Sequence, residues 1–206
     1  MFLNPPARYS EDLDFVRKNP ISIGPLINAI RDALKSWLGE PNRKITERGF
    51  RLTYKYQSIS NLPAKLKIEV NTTEYFQALP TRYEKFFVDS DWYKGGCEIA
   101  TYEIDELIAT KLRALYQRRK GRDLFDLWYV SKQNLVDLKK MVGIFQKYCA
   151  AENICISKKL FCKNLELKRK NRDFCIDMDA LLPGNINWNF EEAYDFVKNK
   201  IINRLP

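Results

Sequence analysis

Apolar and polar residues alternate over Phe50–Gln57 (FRLTYKYQ) and again over Ala64–Val70 (AKLKIEV), the period of a half-buried strand. A shorter run, Asp12–Val16 (DLDFV), reads as a third strand and is broken by Asn19-Pro20. Between them Leu26, Ile27, Ile30, Leu34 and Leu38 recur at helical spacing over 21–38, with Trp37 beside them and Gly39 and Pro41 to close the helix. Phe86–Val88 and Cys97–Tyr102 predict short strands around a loop at 91–96. After Thr101 the period changes. Ile104, Leu107, Ile108, Lys111, Leu112 and Leu115 trace one amphipathic helix ending near Gly121, and a second starts at Asp123 and carries Leu124, Leu127, Trp128 and Val130. Further helical periods cover 136–148, 157–168 and 190–202. The expected organisation is α+β: an N-terminal unit of mixed sheet and helix over 1–100, then a helical bundle over 101–206.

Two strand features carry candidate chemistry. Asp12 and Asp14 are two residues apart, so in a strand they share a face and repel unless a cation lies between them. Lys65, Lys67 and Glu69 share one face of the 64–70 strand, opposite Leu66, Ile68 and Val70. If the two strands are neighbours, Glu69 reaches the Asp12/Asp14 pair. Three carboxylates on one sheet surface make a hard oxygen site suited to Mg²⁺ and to phosphoryl or nucleotidyl transfer. The plainer alternative is a pair of solvated charges at a strand start.

The helical half holds a second constellation, Glu106–Val130 (ELIATKLRALYQRRKGRDLFDLWYV). Lys111 falls among apolar residues, where it must snorkel or meet an anion. Arg118, Arg119, Lys120 and Arg122 crowd the following loop, where phosphate would be gripped. Asp123 and Asp126 stand at capping spacing, with Gly121 ending one helix, Asp123 capping the next and Asp126 complementing its positive end. By pattern alone, capping is the better account of both aspartates.

Composition narrows the chemistry. The 206-residue chain has no histidine, which removes Ser-His-Asp and Cys-His catalysis. Five cysteines contain no CxxC, so free thiols in a reducing compartment are expected rather than structural zinc. No apolar stretch approaches membrane-spanning length, and the N-terminus lacks a secretion signal, so a cytoplasmic protein is expected. Lys plus Arg exceed Asp plus Glu by 35 to 26, a net +9, which favours polyanionic partners. The run Lys158–Arg172 (KKLFCKNLELKRKNR) concentrates that charge as either an RNA-facing helix or a solvated one.

Two motifs add a family to this reading. RYSEDLDFV, Arg8–Val16, resembles the R-[FY]-S-x-D-[LI]-D-F segment of the AbiEii/AbiGii-type nucleotidyltransferases, toxins of bacterial abortive-infection and toxin–antitoxin systems. Glu106–Leu127, ELIATKLRALYQRRKGRDLFDL, resembles that family's E-L-x-A-x-K-L-x-A-L-x-x-R-x-K-x-R-D-x-x-D-L signature. The resemblance implies a polymerase-β-like core that binds an NTP with Mg²⁺, a tRNA, other RNA or protein acceptor, and a cognate antitoxin. It implies Asp12, Asp14 and Glu69 as metal ligands and catalytic carboxylates, Lys111 against the triphosphate, and Asp123 or Asp126 to complete the set. Ser10, Lys67, Arg118 and Arg122 are the further nucleotide-binding candidates.

One departure bears on activity. Relatives carry a Gly-Gly or Gly-Ser turn upstream of the paired aspartates, whose amides cradle triphosphate. MFLNPPARYSE has no glycine. The expectation is an N-terminally truncated core with weakened triphosphate binding. The alternatives are a catalytically degenerate relative that binds protein or nucleic acid, and a basic RNA-binding protein in which DLD is incidental.

Overall fold

The computed structural model describes residues 6–10, 12–17, 19–91 and 93–206. Residues 1–5, where the glycine turn is wanting, lie outside the described residues, as do Glu11 of the first motif and Trp92 of the 91–96 loop. The chain divides into two compact units, Ser10–Phe76 and Met1–Tyr9 with Gln77–Pro206.

The Ser10–Phe76 unit is a four-stranded mixed sheet with one helix. Its elements are β1 (Asp12–Val16), α1 (Gly24–Leu38), β2 (Asn42–Thr46), β3 (Gly49–Gln57) and β4 (Pro63–Asn71), with strand order β1-β4-β3-β2. β1 runs parallel to β4, which the crossover through α1 permits, while β4, β3 and β2 are antiparallel. The alternation seen in the sequence is real: Leu52, Tyr54 and Ile68 are buried with Ile27 of α1, and Ile30, Leu34 and Leu38 pack against them. Each such buried side chain contributes about 1.5–3 kcal/mol. α1 begins at Gly24 rather than Ile21, with Pro25 in its first turn, and Gly39 closes it at φ 71° as expected. β2 (NRKIT) shows no alternation because it is a solvated edge strand. Gly49 turns β2 into β3 at φ 151°, and a Cβ there would stand 2.1 Å from the Val70 carbonyl oxygen.

The second unit opens with the hairpin β5 (Arg82–Asp89) and β6 (Lys94–Thr101) and continues as helices. These are α2 (Ile104–Gln117), α3 (Gly121–Lys132), α4 (Leu138–Ala151), α5 (Lys158–Arg169), α6 (Arg172–Ile176) and α7 (Phe190–Phe196), the last running on through a π turn and a 3₁₀ turn to Arg204. Asp137 and Ser157 cap α4 and α5 through their side chains. Leu112 and Leu115 of α2, Leu124 and Leu127 of α3, and Phe145 and Phe161 are fully or nearly fully buried in one core. The α+β class therefore holds, as a mixed four-stranded sheet and a hairpin followed by a helical region, with the hairpin grouped in the same unit as the helices.

The α2–α3 corner corrects the sequence reading. α2 stops at Gln117 and Arg118 is extended, so Gly121 opens α3 instead of ending α2. Gly121 is required for packing: a Cβ would meet the Phe174 carbonyl oxygen of α6 at 2.3 Å. Asp123 is therefore not the cap of α3. It lies inside the first turn, fully buried.

Candidate nucleotide-binding site

In the sheet unit, the parallel register sets Asp12 opposite Lys67 and Asp14 opposite Glu69, on one face. The strand pairing that the sequence made conditional is present. The charges are interleaved: Lys67 Nζ stands 3.1 Å from Asp12 Oδ1, and Arg51, opposite Glu69 on β3, donates from Nε to Glu69 Oε1 at 2.7 Å. Ser10 Oγ donates to the Asp12 carbonyl oxygen at 3.1 Å. A lysine ammonium thus stands against Asp12, one member of the acidic pair. Among the described residues no three carboxylate, cysteine or histidine side chains gather closely enough to hold a metal. The donor chemistry nonetheless suits Mg²⁺, since Asp12, Asp14 and Glu69 are hard oxygen donors on neighbouring strand positions. Lys67 is 37% exposed, so its ammonium can swing from Asp12 to solvent or to a phosphate.

In the helical unit, α2 and α3 present a second charged cluster. Asp126 accepts two hydrogen bonds from Arg8, from Nε to Oδ1 at 2.7 Å and from Nη2 to Oδ2 at 2.9 Å, and Lys111 Nζ lies 3.1 Å from Oδ2. Buried Asp123 accepts two from Arg118, both at 2.8 Å, with Lys111 Nζ at 3.9 Å. Burial alone would push the Asp126 carboxyl up, but the Arg8 hydrogen bonds and the Lys111 charge outweigh it and hold the carboxyl below its ordinary range. Arg8 is held above its ordinary value, first by its bond to Asp126. Asp126 is consequently a poor proton acceptor at neutral pH. It orients two cations instead. Lys111 satisfies the sequence argument: it meets anions, and its side chain stays 26% exposed and open to a further one.

Arg122 meets a further carboxylate, Asp177, whose charge also acts on Arg8. Its backbone N–H donates to Asp177 Oδ2 at 3.0 Å and its Nε lies 3.6 Å from the same oxygen, so Asp177 neutralises the first turn of α3 from 55 residues away. Nothing in local sequence pattern could reveal Asp177. Arg8 opens the first motif but is not among the candidates the sequence singles out, since its partner Asp126 lies 118 residues away.

The family profile described as nucleotidyl transferase AbiEii toxin, type IV TA system, matches residues 1–196. The chain belongs to this AbiEii family. Neither the curated proteins nor the solved structures contain a match. Membership makes the chain a member of a nucleotidyltransferase toxin family, with NTP use and an antitoxin partner implied at family level. Among the described residues no helix is long and apolar enough to cross a membrane.

Set against the AbiEii signature in Glu106–Leu127, the geometry separates scaffold from chemistry. Glu106, the first residue of that signature, is fully buried and accepts from the N–H groups of Ala78 and Leu79 and from Tyr148 Oη. It is a staple, joining α2 to the 78–79 backbone and to Tyr148. A carboxylate on the buried stripe of α2 was the signal that sequence reasoning passed over. Lys168 is a second buried support. Its Nζ donates to the carbonyl oxygens of Leu115 and Tyr116, closing the C-terminal end of α2. Burial pulls its pKa down to about 8 from 10.5, against the attraction of Asp123. Between those values the unfolded chain holds a proton that the folded one has shed, so this contribution to stability rises as pH climbs through the window. Urea titrations at pH 7.5 to 10.5 should therefore show native stability gaining roughly 1–3 kcal/mol relative to Lys168→Met. A flat difference would contradict the assignment.

Proposed function

We propose that this chain is an Mg²⁺-dependent nucleotidyltransferase that moves NMP from an NTP to an RNA hydroxyl, with tRNA the preferred class of acceptor. Its Ser10–Phe76 unit is read as part of a polymerase-β-like core, which the mixed sheet with parallel β1 and β4 supports. The observation that carries the reading is the Lys111 cluster, in which two aspartates of the family signature hold Arg8, Lys111 and Arg118 side by side, the kind of cation grouping that suits an anionic tail. Asp12, Asp14 and Glu69 would hold Mg²⁺, which when bound neutralises triphosphate charge. Lys67, displaced from Asp12, and Ser10 would contact the nucleotide. The acceptor oxygen attacks the α-phosphorus, its proton passes to a carboxylate of this set, and the bond to pyrophosphate breaks. Lys111 and Arg118 are, within the helical unit, the cations suited to an anionic phosphate group.

Incubating the purified chain with each α-labelled NTP and total bacterial RNA, with and without Mg²⁺, tests this directly. Label should enter RNA only with Mg²⁺, and Asp12→Ala or Lys111→Ala should reduce it by about a hundredfold or more. Label appearing on protein alone would move the acceptor assignment. Absence of label in every combination would leave a family member that binds without transferring. Retention of label in both variants would sink the reading.

A further inference from the structure

We propose that α5 and the adjoining α2–α3 loop form a docking surface for the phosphate backbone of RNA, an inference that rests on the reading above that the acceptor is a nucleic acid. Lys158, Lys159, Lys163, Lys170 and Arg172 lie on α5 or at its C-terminal end; all are exposed, and none makes an ion pair with a described residue. With 3.6 residues per turn, Lys159, Lys163 and Lys170 fall within about 40° of one another around the helix. The one acid in that run, Glu166, is occupied by Lys198 at 3.1 Å. Arg169 is likewise taken by Glu191.

The buried Lys168 decides where this row ends. Its bonds to Leu115 and Tyr116 bring the C-terminal end of α5 to the end of α2, beside the loop that carries Arg119. The Arg119 charge is close enough to oppose protonation of Lys168, and Arg119 is itself exposed with no ion pair to a described residue. Six cations without acid partners therefore follow one helix and the loop at its end, in the same unit as Lys111, Arg8 and Arg118. A row of fixed charges without matching acids is what a phosphate backbone requires, since binding there is driven by release of its counterions.

An acidic amphipathic helix is the competing occupant, and the apolar content of this face argues against it. Helix-in-groove docking needs anchors at about every third or fourth position. The exposed face of α5 offers only Leu160 and Leu167, because Phe161 and Leu165 are buried in the core.

The test compares two triple variants of the full chain. One is Lys159→Gln/Lys163→Gln/Lys170→Gln. The other, Lys139→Gln/Lys147→Gln/Lys200→Gln, removes the same charge from exposed positions elsewhere. Anisotropy of a short fluorescein-labelled single-stranded RNA is read from about 50 to 200 mM salt. The α5 variant should lose roughly tenfold or more in affinity, and its log–log salt slope should fall by about 2, against less than about threefold for the matched variant. Equal losses in the two variants would overturn the proposal, as would polyglutamate displacing the RNA at equal charge concentration, which would point to an acidic protein. NTP binding separates this from the transferase reading. It should be unchanged in the α5 variant, and a native chain that binds RNA through α5 but no NTP would end the transferase reading while leaving this surface standing.

Discussion

Glu106→Ala should lower the unfolding free energy by about 3–5 kcal/mol, the largest loss expected from any single truncation in the α2–α3 signature. The carboxylate is fully buried and satisfies three donors: Ala78 N–H at 2.6 Å, Leu79 N–H at 3.0 Å and Tyr148 O–H at 2.8 Å. Alanine strands all three. Each unsatisfied buried donor costs about 1–3 kcal/mol, and water entering the vacated volume recovers only part of that. Gln in place of Glu keeps one acceptor oxygen but turns an amide N–H₂ toward donors, so Glu106→Gln should fall between native and alanine. Tyr148 gives an independent readout. Burial and then its bond to Glu106 hold its hydroxyl well above the ordinary tyrosine range, so ultraviolet titration of Glu106→Ala should show one tyrosine moving down. Urea denaturation measures the stability loss. A variant within about 1 kcal/mol of native would show that this carboxylate is not the staple described here.

That prediction was within reach of the sequence in one respect and beyond it in another. The strands of the sheet unit were legible because alternation survives wherever one face is buried against α1, as in Leu52-Thr53-Tyr54 and Leu66-Lys67-Ile68. β2 was not, because an edge strand of Asn, Arg, Lys, Ile and Thr buries too little to leave a pattern. The α2–α3 corner misled for a different reason. Glycine usually marks a helix end by its backbone freedom, whereas Gly121 is needed because α6 packs on it, a contact between residues 53 apart. Shifting the start of α3 by two residues turned Asp123 from an exposed cap into a buried partner of Arg118. The candidate residues were legible as a set of residue types, and of the two alternatives open for Lys111, snorkelling or meeting an anion, the structure shows an anion, Asp126. What the sequence could not supply was pairing: Arg8 to Asp126, Arg51 to Glu69 and Asp177 to the first turn of α3 all join distant positions.

Pairing is also what fixes the role of Asp126. Removing its charge in Asp126→Ala should cost about 2–4 kcal/mol, because Arg8 and Lys111 are then left largely buried with one counter-ion fewer. Lys111 can turn to Asp123, now 3.9 Å away, but Arg8 loses both of its bonds to carboxylate. A cycle built from Asp126→Ala, Arg8→Ala and the double variant should return a coupling of about 1.5–3 kcal/mol, with the double variant less damaged than the sum of the singles. The acid side gives the sign. The folded carboxyl lies below its ordinary 3.8, so its stabilising contribution is complete above that pH and is lost as pH falls through the folded value. The stability gap between native and Asp126→Asn should therefore be constant near neutrality and close only below about pH 4. The same variant discriminates between orienting a cation and accepting a proton. If Asp126 orients Lys111, Asp126→Asn weakens NTP binding about tenfold and leaves the pH profile of transfer unmoved, because the group that titrates on that profile is elsewhere. A carboxylate that took the acceptor proton would give the reverse: native NTP affinity, and an acid limb of the profile that disappears with the substitution.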